Sequence, residues 1–212
     1  MQPDQADKPR KVRRGRPPSY DREQVTAAAL GLLWAQGFEA TSVEQLSAAT
    51  GLSTSSLYAG FGSKRGVLDA ALDAYTTHME RSLAILLEGT AGVADVLRFI
   101  EHVRPATDPG AAHPGCFMVN TMTEVAPHDP DIAAATARYR SRIRLALESA
   151  LRRAARRREI APRSVPQRAR MIQASLFGAL VIARTGASDE ASAALDALSA
   201  EIRRWRAPSP QP

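Results

Sequence analysis

The chain has 212 residues and a formal net charge of +6, with 44% hydrophobic but only 5% aromatic residues. Its single cysteine excludes an internal disulfide framework, and no apolar run reaches the length of about 18 residues that a membrane span needs. These features predict a cytoplasmic, mostly helical protein without a membrane partner. Its excess of basic residues suits a polyanion, with nucleic acid as the first candidate.

Residues 1–19 are rich in proline and charge and show no hydrophobic period, which predicts a disordered basic arm. Six cations and no carboxylate lie between residues 8 and 16: Lys8, Arg10, Lys11, Arg13, Arg14 and Arg16. The first ten residues lack an apolar stretch, so we expect no secretory signal. Most of the excess positive charge therefore precedes the first predicted helix.

Apolar residues recur at helical spacing along the rest of the chain, between residues that commonly start or stop helices. Nine helices are predicted, over residues 21–37, 41–51, 53–62, 63–87, 91–104, 115–125, 131–158, 165–185 and 188–206. In the second of them, Ser42 and Gln45 form a capping-box pattern. We predict an all-α fold with an N-terminal three-helix helix-turn-helix head over residues 20–65. A long helix joins it to a ligand-binding and dimerisation bundle over residues 66–206, before a disordered tail over residues 207–212.

The second and third predicted helices meet at Gly51, where a sharp turn with positive φ gives them a helix-turn-helix shape. If Leu57 points inward, a step of about 100° per residue turns Ser55 and Ala59 directly outward, flanked by Ser56 and Tyr58. A face of small residues permits close approach to a DNA groove. The third helix has no Arg, Asn or Gln, so we expect modest direct base readout.

The segment "TSVEQLSAATGLSTSSLYAGFGSKRGVLDAALDAY" resembles the N-terminal DNA-binding domain of the TetR family of bacterial transcriptional regulators, and the resemblance covers roughly residues 20–75. It implies that Thr41 or Ser42, Tyr58 and Lys64 contact phosphates. It also implies that the segment from Thr54 to Ala59 faces the major groove. The sequence departs from the family pattern at two points. Ala59-Gly60 stand where bulky or aromatic residues commonly follow the tyrosine, and Arg65 replaces a common acidic residue.

The basic arm contains the stretch "RGRP", which resembles the core of AT-hook peptides that bind the narrow minor groove of A·T-rich DNA. Proline keeps such a segment extended, glycine allows close approach, and guanidinium groups enter a region of negative potential. We expect Arg14 and Arg16 to contact DNA in this way. The alternative is a solvated charge run that binds phosphates without preference.

One helix-turn-helix head usually reads too few base pairs, so a homodimer on a two-fold operator is expected. Each of the last two predicted helices carries a row of small or apolar residues along one face, which is a candidate contact with a second copy of the chain. The candidate interface residues are Met171, Ser175, Gly178, Ile182, Leu195, Leu198 and Ile202. The alternative is that each row belongs to the core of one chain, and the resemblance favours a four-helix interface built from two copies.

The stretch "GCFMVNTMTE" combines apolar side chains with a few polar ones, as ligand pockets do. It resembles the effector-domain segment of one branch of the same family. Candidate pocket residues are Tyr75, Met79, Leu83, Phe99, Cys116, Phe117, Asn120, Glu124 and Tyr139. The alternative is structural, with these residues forming plain core and satisfying buried backbone groups.

The sequence gives little support for metal binding or for catalysis. His113, Cys116 and Met118 lie close in sequence to Met122, and soft ligands of this kind suit Cu(I), but their spacing matches no established zinc pattern. We therefore predict neither a metal nor another cofactor. Thiol-based sensing by Cys116 has similarly weak support, and the sequence leaves it open. The sequence has no nucleophile elbow, phosphate-binding glycine loop or paired-ligand motif, so we predict that the chain is not an enzyme.

Together these patterns predict a sequence-specific DNA-binding transcriptional regulator. We expect a repressor that a small effector, bound in the C-terminal bundle, releases from double-stranded DNA. The alternative is a constitutive architectural DNA-binding protein without a ligand response.

Overall fold

The computed structural model describes residues 20–111 and 114–205, and over these residues the chain is helical and has no strand. The helices are α1 (Arg22–Gln36), α2 (Val43–Thr50), α3 (Thr54–Phe61), α4 (Lys64–Leu87), α5 (Val93–Val103), α6 (Phe117–Glu124), α7 (Pro130–Arg156), α8 (Val165–Arg184) and α9 (Ser188–Arg204). Short 3₁₀ turns precede α6 (Arg104–Thr107) and α8 (Pro162–Ser164). The predicted all-α architecture is confirmed. The predicted arm and tail lie outside the described residues.

Local capping explains where the first helices begin and end. The Asp21 carboxylate accepts hydrogen bonds from two backbone N–H groups of the first turn of α1. Ser42 and Gln45 form the predicted capping box at the start of α2. Gly51 has φ 69°, the left-handed conformation that the turn between α2 and α3 requires and that glycine adopts without strain.

The head, which consists of α1, α2 and α3, has its own small core. Leu33 of α1, Leu46 of α2 and Leu57 of α3 are almost completely buried there. α4 packs along α1 and against α3 at one end, and it packs against α5, α6 and α7 elsewhere. The same helix therefore belongs to both parts of the molecule. The predicted division at residue 65 stays a prediction.

The body, which consists of the remaining helices, has a larger apolar core. α8 packs along α9 on one side and against α7 on the other, and α5 lies between α4, α7 and α9. Leu147 and Leu151 of α7, Ile172 of α8 and Leu195 of α9 are fully buried. None of the helices within residues 20–111 and 114–205 is both long and apolar enough to cross a bilayer.

Candidate functional site

The outer face of α3 is small, polar and free of other elements. Ser55 and Ala59 are exposed and Tyr58 is 45% exposed, whereas Leu57 and Phe61 point into the core of the head. This is the orientation that the helical period predicts. A smooth helix face of this kind can lie against a DNA groove without steric obstruction.

Hydroxyl groups gather at the N-terminus of α3. The Ser53 hydroxyl accepts from the Ser56 backbone N–H at 3.2 Å and lies 3.0 and 2.9 Å from the hydroxyls of Ser55 and Ser56. Thr54, next to them, is half-buried. Serine hydroxyls can donate to phosphate oxygens or to base edges, and the positive end of the helix dipole favours a phosphate.

Of the predicted phosphate contacts, Ser42, Tyr58 and Lys64 are accessible, but Thr41 is not. Thr41 is 1% exposed, and its hydroxyl donates to the Gly37 carbonyl at 2.5 Å. The predicted role of Thr41 as a phosphate contact is therefore wrong. Its side chain closes the turn after α1 and cannot reach a DNA strand.

Two further residues lie beside α3, and no pattern in the sequence points to them. The Arg22 guanidinium lies over the Phe61 ring, 4.4 Å from its centroid, and donates to the Gly60 carbonyl at 2.9 Å. Tyr20 fills the space beside Gly60, where a Cβ would stand 2.1 Å from the tyrosine hydroxyl. Gly60 is therefore needed for this contact. Tyr20 also brings the start of the described chain next to α3.

A cavity of about 380 Å³ lies in the body, close to the head. Its wall is mostly apolar and aromatic. It is lined by Trp34, Tyr75, His78, Met79, Ser82, Phe99, His102, Val103, Pro105, Ala106, Ala111, Gly115, Cys116, Tyr139, Ile143, Leu176, Phe177 and Leu180. This size and composition are typical of small-molecule sites.

One corner of the cavity is polar. The Tyr75 hydroxyl donates to the Cys116 sulfur at 3.0 Å, and the Tyr139 hydroxyl lies 3.4 Å from the same sulfur. Burial raises the pKa of both tyrosines well above the ordinary value, with a smaller contribution from the neighbouring Cys116. Both phenols therefore keep their protons and can act as hydrogen-bond donors.

The solvent side of the cavity carries two histidines. Both His78 of α4 and His102 of α5 are exposed. The Nε2 atom of His102 is hydrogen-bonded to the Ser82 hydroxyl at 2.8 Å, which joins α5 to α4. Neither histidine is predictable from the sequence, because a lone histidine on a helix carries no spacing signal.

Five of the predicted pocket residues line this cavity, namely Tyr75, Met79, Phe99, Cys116 and Tyr139. Four others do not, namely Leu83, Phe117, Asn120 and Glu124. Leu83 is plain core, and Phe117 packs behind the wall against Trp34 and Tyr75. Only the N-cap residue of α6, Cys116, reaches the cavity. The predictions for Leu83 and Phe117 are wrong with respect to this cavity, whereas Asn120 and Glu124 line a separate pocket of about 220 Å³ beside Gln36 and Gly37.

The head forms part of the cavity wall through Trp34, which lies on α1. Its indole meets the Tyr75 ring edge to face, with ring centroids 5.2 Å apart, and it is 6.2 Å from the Phe117 ring. Any molecule inside the cavity would therefore lie against a helix of the head as well as against the body.

Polar contacts hold the turn after α1 to the body. The Glu124 carboxylate accepts from the backbone N–H groups of Phe38 at 3.1 Å and Glu39 at 2.8 Å. Arg184, near the end of α8, donates to the Ala35 carbonyl at 2.8 Å. Glu124 is thus a structural link between α6 and the head and does not line the large cavity.

A further ion pair explains one departure from the family pattern. Arg65, in the first turn of α4, pairs with the carboxylate of Asp129, the N-cap of α7, and with Asp69 at 3.2 Å. The backbone N–H of Ile132 and the charge of Arg65 lower the pKa of Asp129 below its ordinary value. An acidic residue at position 65 would repel Asp129, so this chain uses the position to join α4 to α7.

The predicted dimer residues fall into two groups. On α8, Met171 and Gly178 are exposed, and Ser175 and Ile182 are half-buried. A Cβ placed on Gly178 would have no atom within 4 Å. On α9, however, Leu195, Leu198 and Ile202 are buried within the chain itself. The interface prediction for those three residues is wrong, because α8 and α5 already cover that face of α9.

In the part of the chain that the structure describes, no three His, Cys, Asp or Glu side chains are close enough together to hold a metal ion. His113, which belongs to the weak copper pattern, lies outside that part. The Met122 sulfur accepts from Arg140 at 3.0 Å, and Met118 is buried.

Comparison with known families matches two segments of the chain, which together make up more than half of it. Residues 25–71 match a model for bacterial regulatory proteins of the TetR family. Residues 92–207 match a model for the tetracyclin repressor-like C-terminal domain. The two matches cover the head with the start of α4, and then α5 to α9.

Individual relatives agree with these matches. The HTH-type transcriptional repressor ComR of Escherichia coli (strain K12) is 32% identical over 186 residues, which are 85% of this chain and 87% of the relative. A TetR transcriptional regulator from Chloroflexus aurantiacus J-10-FL has a TM-score of 0.76 at 25% identity, covering 86% of this chain and 94% of the other. The TetR family regulator CifR, in a cysteine mutant complexed with 26bp operator DNA, has a TM-score of 0.75 at 24% identity, covering 90% of this chain and all of that one.

Proposed function

This chain belongs to the TetR family of bacterial regulatory proteins and is a DNA-binding transcriptional regulator, and we propose that it is a repressor which a small molecule in the cavity releases from its operator. The single observation that carries this proposal is the position of Trp34. A side chain of the head forms part of the cavity wall. Occupation of the cavity therefore bears directly on the placement of the DNA-binding helices.

In the DNA-bound state, α3 lies in the major groove with Ser55 and Ala59 towards the bases. Ser42, Tyr58 and Lys64 contact phosphates on either side, and Arg22 is positioned to join them. The described chain starts at Tyr20, which packs beside α3. Arg14 and Arg16 then supply sequence-tolerant affinity through the adjacent minor groove.

Two copies of the chain bind one operator through a dimer that uses the outward face of α8. Met171 and Gly178 leave this face apolar and flat, and Val181 is 39% exposed beside them. Small residues allow two helices to approach closely. A two-fold dimer places its two recognition helices about 34–36 Å apart, one turn of the DNA duplex.

The head is coupled to the body through α6 as well as through the long helix α4. Cys116, the residue before α6, lines the cavity. Glu124, the last residue of α6, holds the turn that follows α1. A small displacement of α6 at the cavity is therefore transmitted to the head along the eight residues of this helix. Arg184 of α8 donates to the Ala35 carbonyl and so holds the C-terminal end of α1, just before that turn.

A ligand releases DNA only if it binds the DNA-competent arrangement less tightly than another arrangement of the heads. The cavity in the body supports this mechanism over a constitutive architectural role, because simple DNA packaging has no use for a ligand site that touches the DNA-binding head.

Fluorescence anisotropy of a labelled operator tests the proposal. Compounds are first selected for thermal stabilisation of the protein and assigned to the cavity if Ala106→Trp, which fills it, abolishes their binding. We expect such compounds to weaken operator binding by roughly 5- to 150-fold. A compound assigned to the cavity that leaves operator affinity unchanged would contradict the release mechanism.

A further inference from the structure

We infer that the cavity selects an uncharged, largely apolar molecule that carries one strong hydrogen-bond acceptor, of the aryl ketone type, and that this acceptor meets the hydroxyl–thiol cluster of Tyr75, Cys116 and Tyr139. The inference rests on the proposed function for its biological meaning, since it names the class of effector. Its evidence is the chemistry of the wall.

The wall excludes charge. Among the described residues that line the cavity there is no Lys, Arg, Asp or Glu. Phe99, Ile143, Leu176, Phe177 and Leu180 supply apolar surface instead. Moving an ionised group from water into such surroundings without a partner costs far more than one hydrogen bond returns. A charged ligand would therefore find no compensation in the interior.

The polar corner places two phenol hydroxyls beside the Cys116 thiol. Tyr75, Cys116 and Tyr139 each carry one proton, and both phenol hydroxyls lie within hydrogen-bond distance of the sulfur. The two phenols also interact with each other. A thiol sulfur is a weak acceptor. Because both phenols stay protonated, a carbonyl oxygen placed beside them would accept a better hydrogen bond than the sulfur does.

The two histidines at the solvent side suggest a competing ligand class, an anion whose carboxylate pairs with them. Two observations weigh against it. His78 and His102 are exposed, so a charge pair there would be screened by water. The Nε2 atom of His102 is already engaged by the Ser82 hydroxyl.

The shape of the cavity favours flat rings. Its volume of about 380 Å³ is near the lower end of the range for small-molecule sites, and Trp34, Phe99 and Phe177 contribute planar surfaces. A bicyclic aromatic ketone fits these limits. Stacking on these rings orients the aromatic part of the ligand, and the hydroxyls of Tyr75 and Tyr139 hold its ketone oxygen.

Three probes of nearly equal shape test the inference by isothermal titration calorimetry on the full chain. They are 2-acetylnaphthalene, 2-isopropenylnaphthalene, in which CH₂ replaces the ketone oxygen, and 2-naphthoate. We expect the ketone to bind about 3- to 10-fold more tightly than the alkene, and 2-naphthoate to bind at least about 10-fold more weakly than the ketone. Tyr139→Phe should bring the ketone-to-alkene ratio towards one, whereas Tyr58→Phe, a matched change on the head, should leave it unchanged.

The inference is overturned if 2-naphthoate binds as tightly as the ketone, if ketone and alkene bind equally, or if none of the three binds at millimolar concentration. These measurements contain no DNA. A ketone that binds as expected but does not release the operator would contradict the proposed function and leave this inference standing. Release of the operator by an anion would contradict this inference and leave the proposed function standing.

Discussion

The Glu124 carboxylate accepts a hydrogen bond from the Phe38 backbone N–H at 3.1 Å, although 86 residues separate the two in the chain. Its second oxygen accepts from Glu39 at 2.8 Å. One side chain of the body therefore satisfies two backbone donors in the turn between α1 and α2. This turn determines how α2 and α3 are held relative to the cavity.

Replacing Glu124 with glutamine should loosen this turn. The amide keeps one acceptor oxygen but directs an NH₂ group at the other backbone donor, so we expect a loss of about 1–3 kcal/mol in the free energy of unfolding. Urea denaturation measures the loss, and hydrogen exchange should quicken at Phe38 and Glu39. Glu80→Gln is the matched control, because its pair with Arg142 is about half exposed on both sides and contributes less than about 1 kcal/mol. Unchanged exchange at Phe38 and Glu39 would contradict the role of Glu124.

A negative charge on the outer face of α3 should abolish operator binding without unfolding the head. Ala59 is exposed, so Ala59→Glu disturbs no core contact, but it places a carboxylate against the DNA. We expect operator affinity to fall at least about 100-fold, equal to about 2.7 kcal/mol. Ala161→Glu, at an exposed position in the loop before α8, supplies the control with the same change of charge. If both variants bound the operator alike, α3 would not be the recognition helix.

A charge at the centre of the α8 face should separate the dimer. Gly178 has free space around it, so Gly178→Glu is compatible with the folded chain, but it would bury an unpaired carboxylate between two copies. Sedimentation should show monomers for this variant and dimers for the parent protein, with unchanged helical content. Leu145→Glu removes a 53% exposed leucine from α7 and should remain dimeric. A dimeric Gly178→Glu protein would show that another face pairs.

The two buried tyrosines should make the protein sensitive to alkali. Because the folded state raises the pKa of Tyr75 and Tyr139, the unfolded chain ionises first. The stability that they contribute is complete below the unfolded value of about 10 and is lost as the pH rises above it. Tyrosinate absorbance, followed with circular dichroism, should show two of the four tyrosines ionising only as the helices melt. Full ionisation of all four in a helical protein would contradict this.

The sequence predicted most of the fold because the signals involved are local. Capping residues such as Ser42 and turn glycines such as Gly51 act within a few residues, so helix ends follow from them directly. The outward face of α3 follows from one buried residue, Leu57, and the helical period.

The wrong predictions concern residues whose role depends on which other helix, or which other copy of the chain, packs against them. The period shows that Leu195, Leu198 and Ile202 share an apolar side of α9, but not whether the same chain or a second copy covers it. For the short helix α6, only tertiary packing decides that Cys116 meets the cavity and Glu124 meets the head. Buried Thr41 fails as a DNA contact for the same reason, since the Gly37 carbonyl that it binds is fixed by the fold.

The coupling between cavity and operator is tested most directly by measuring the affinity of one cavity ligand, with 2-acetylnaphthalene as the first probe, for the free protein and for the operator-bound protein. Binding linkage requires that a ligand which weakens DNA binding be weakened equally by DNA. We predict that the operator complex binds the ligand at least about fivefold more weakly than the free protein does. Equal affinities for the two forms would show that the cavity does not control DNA binding.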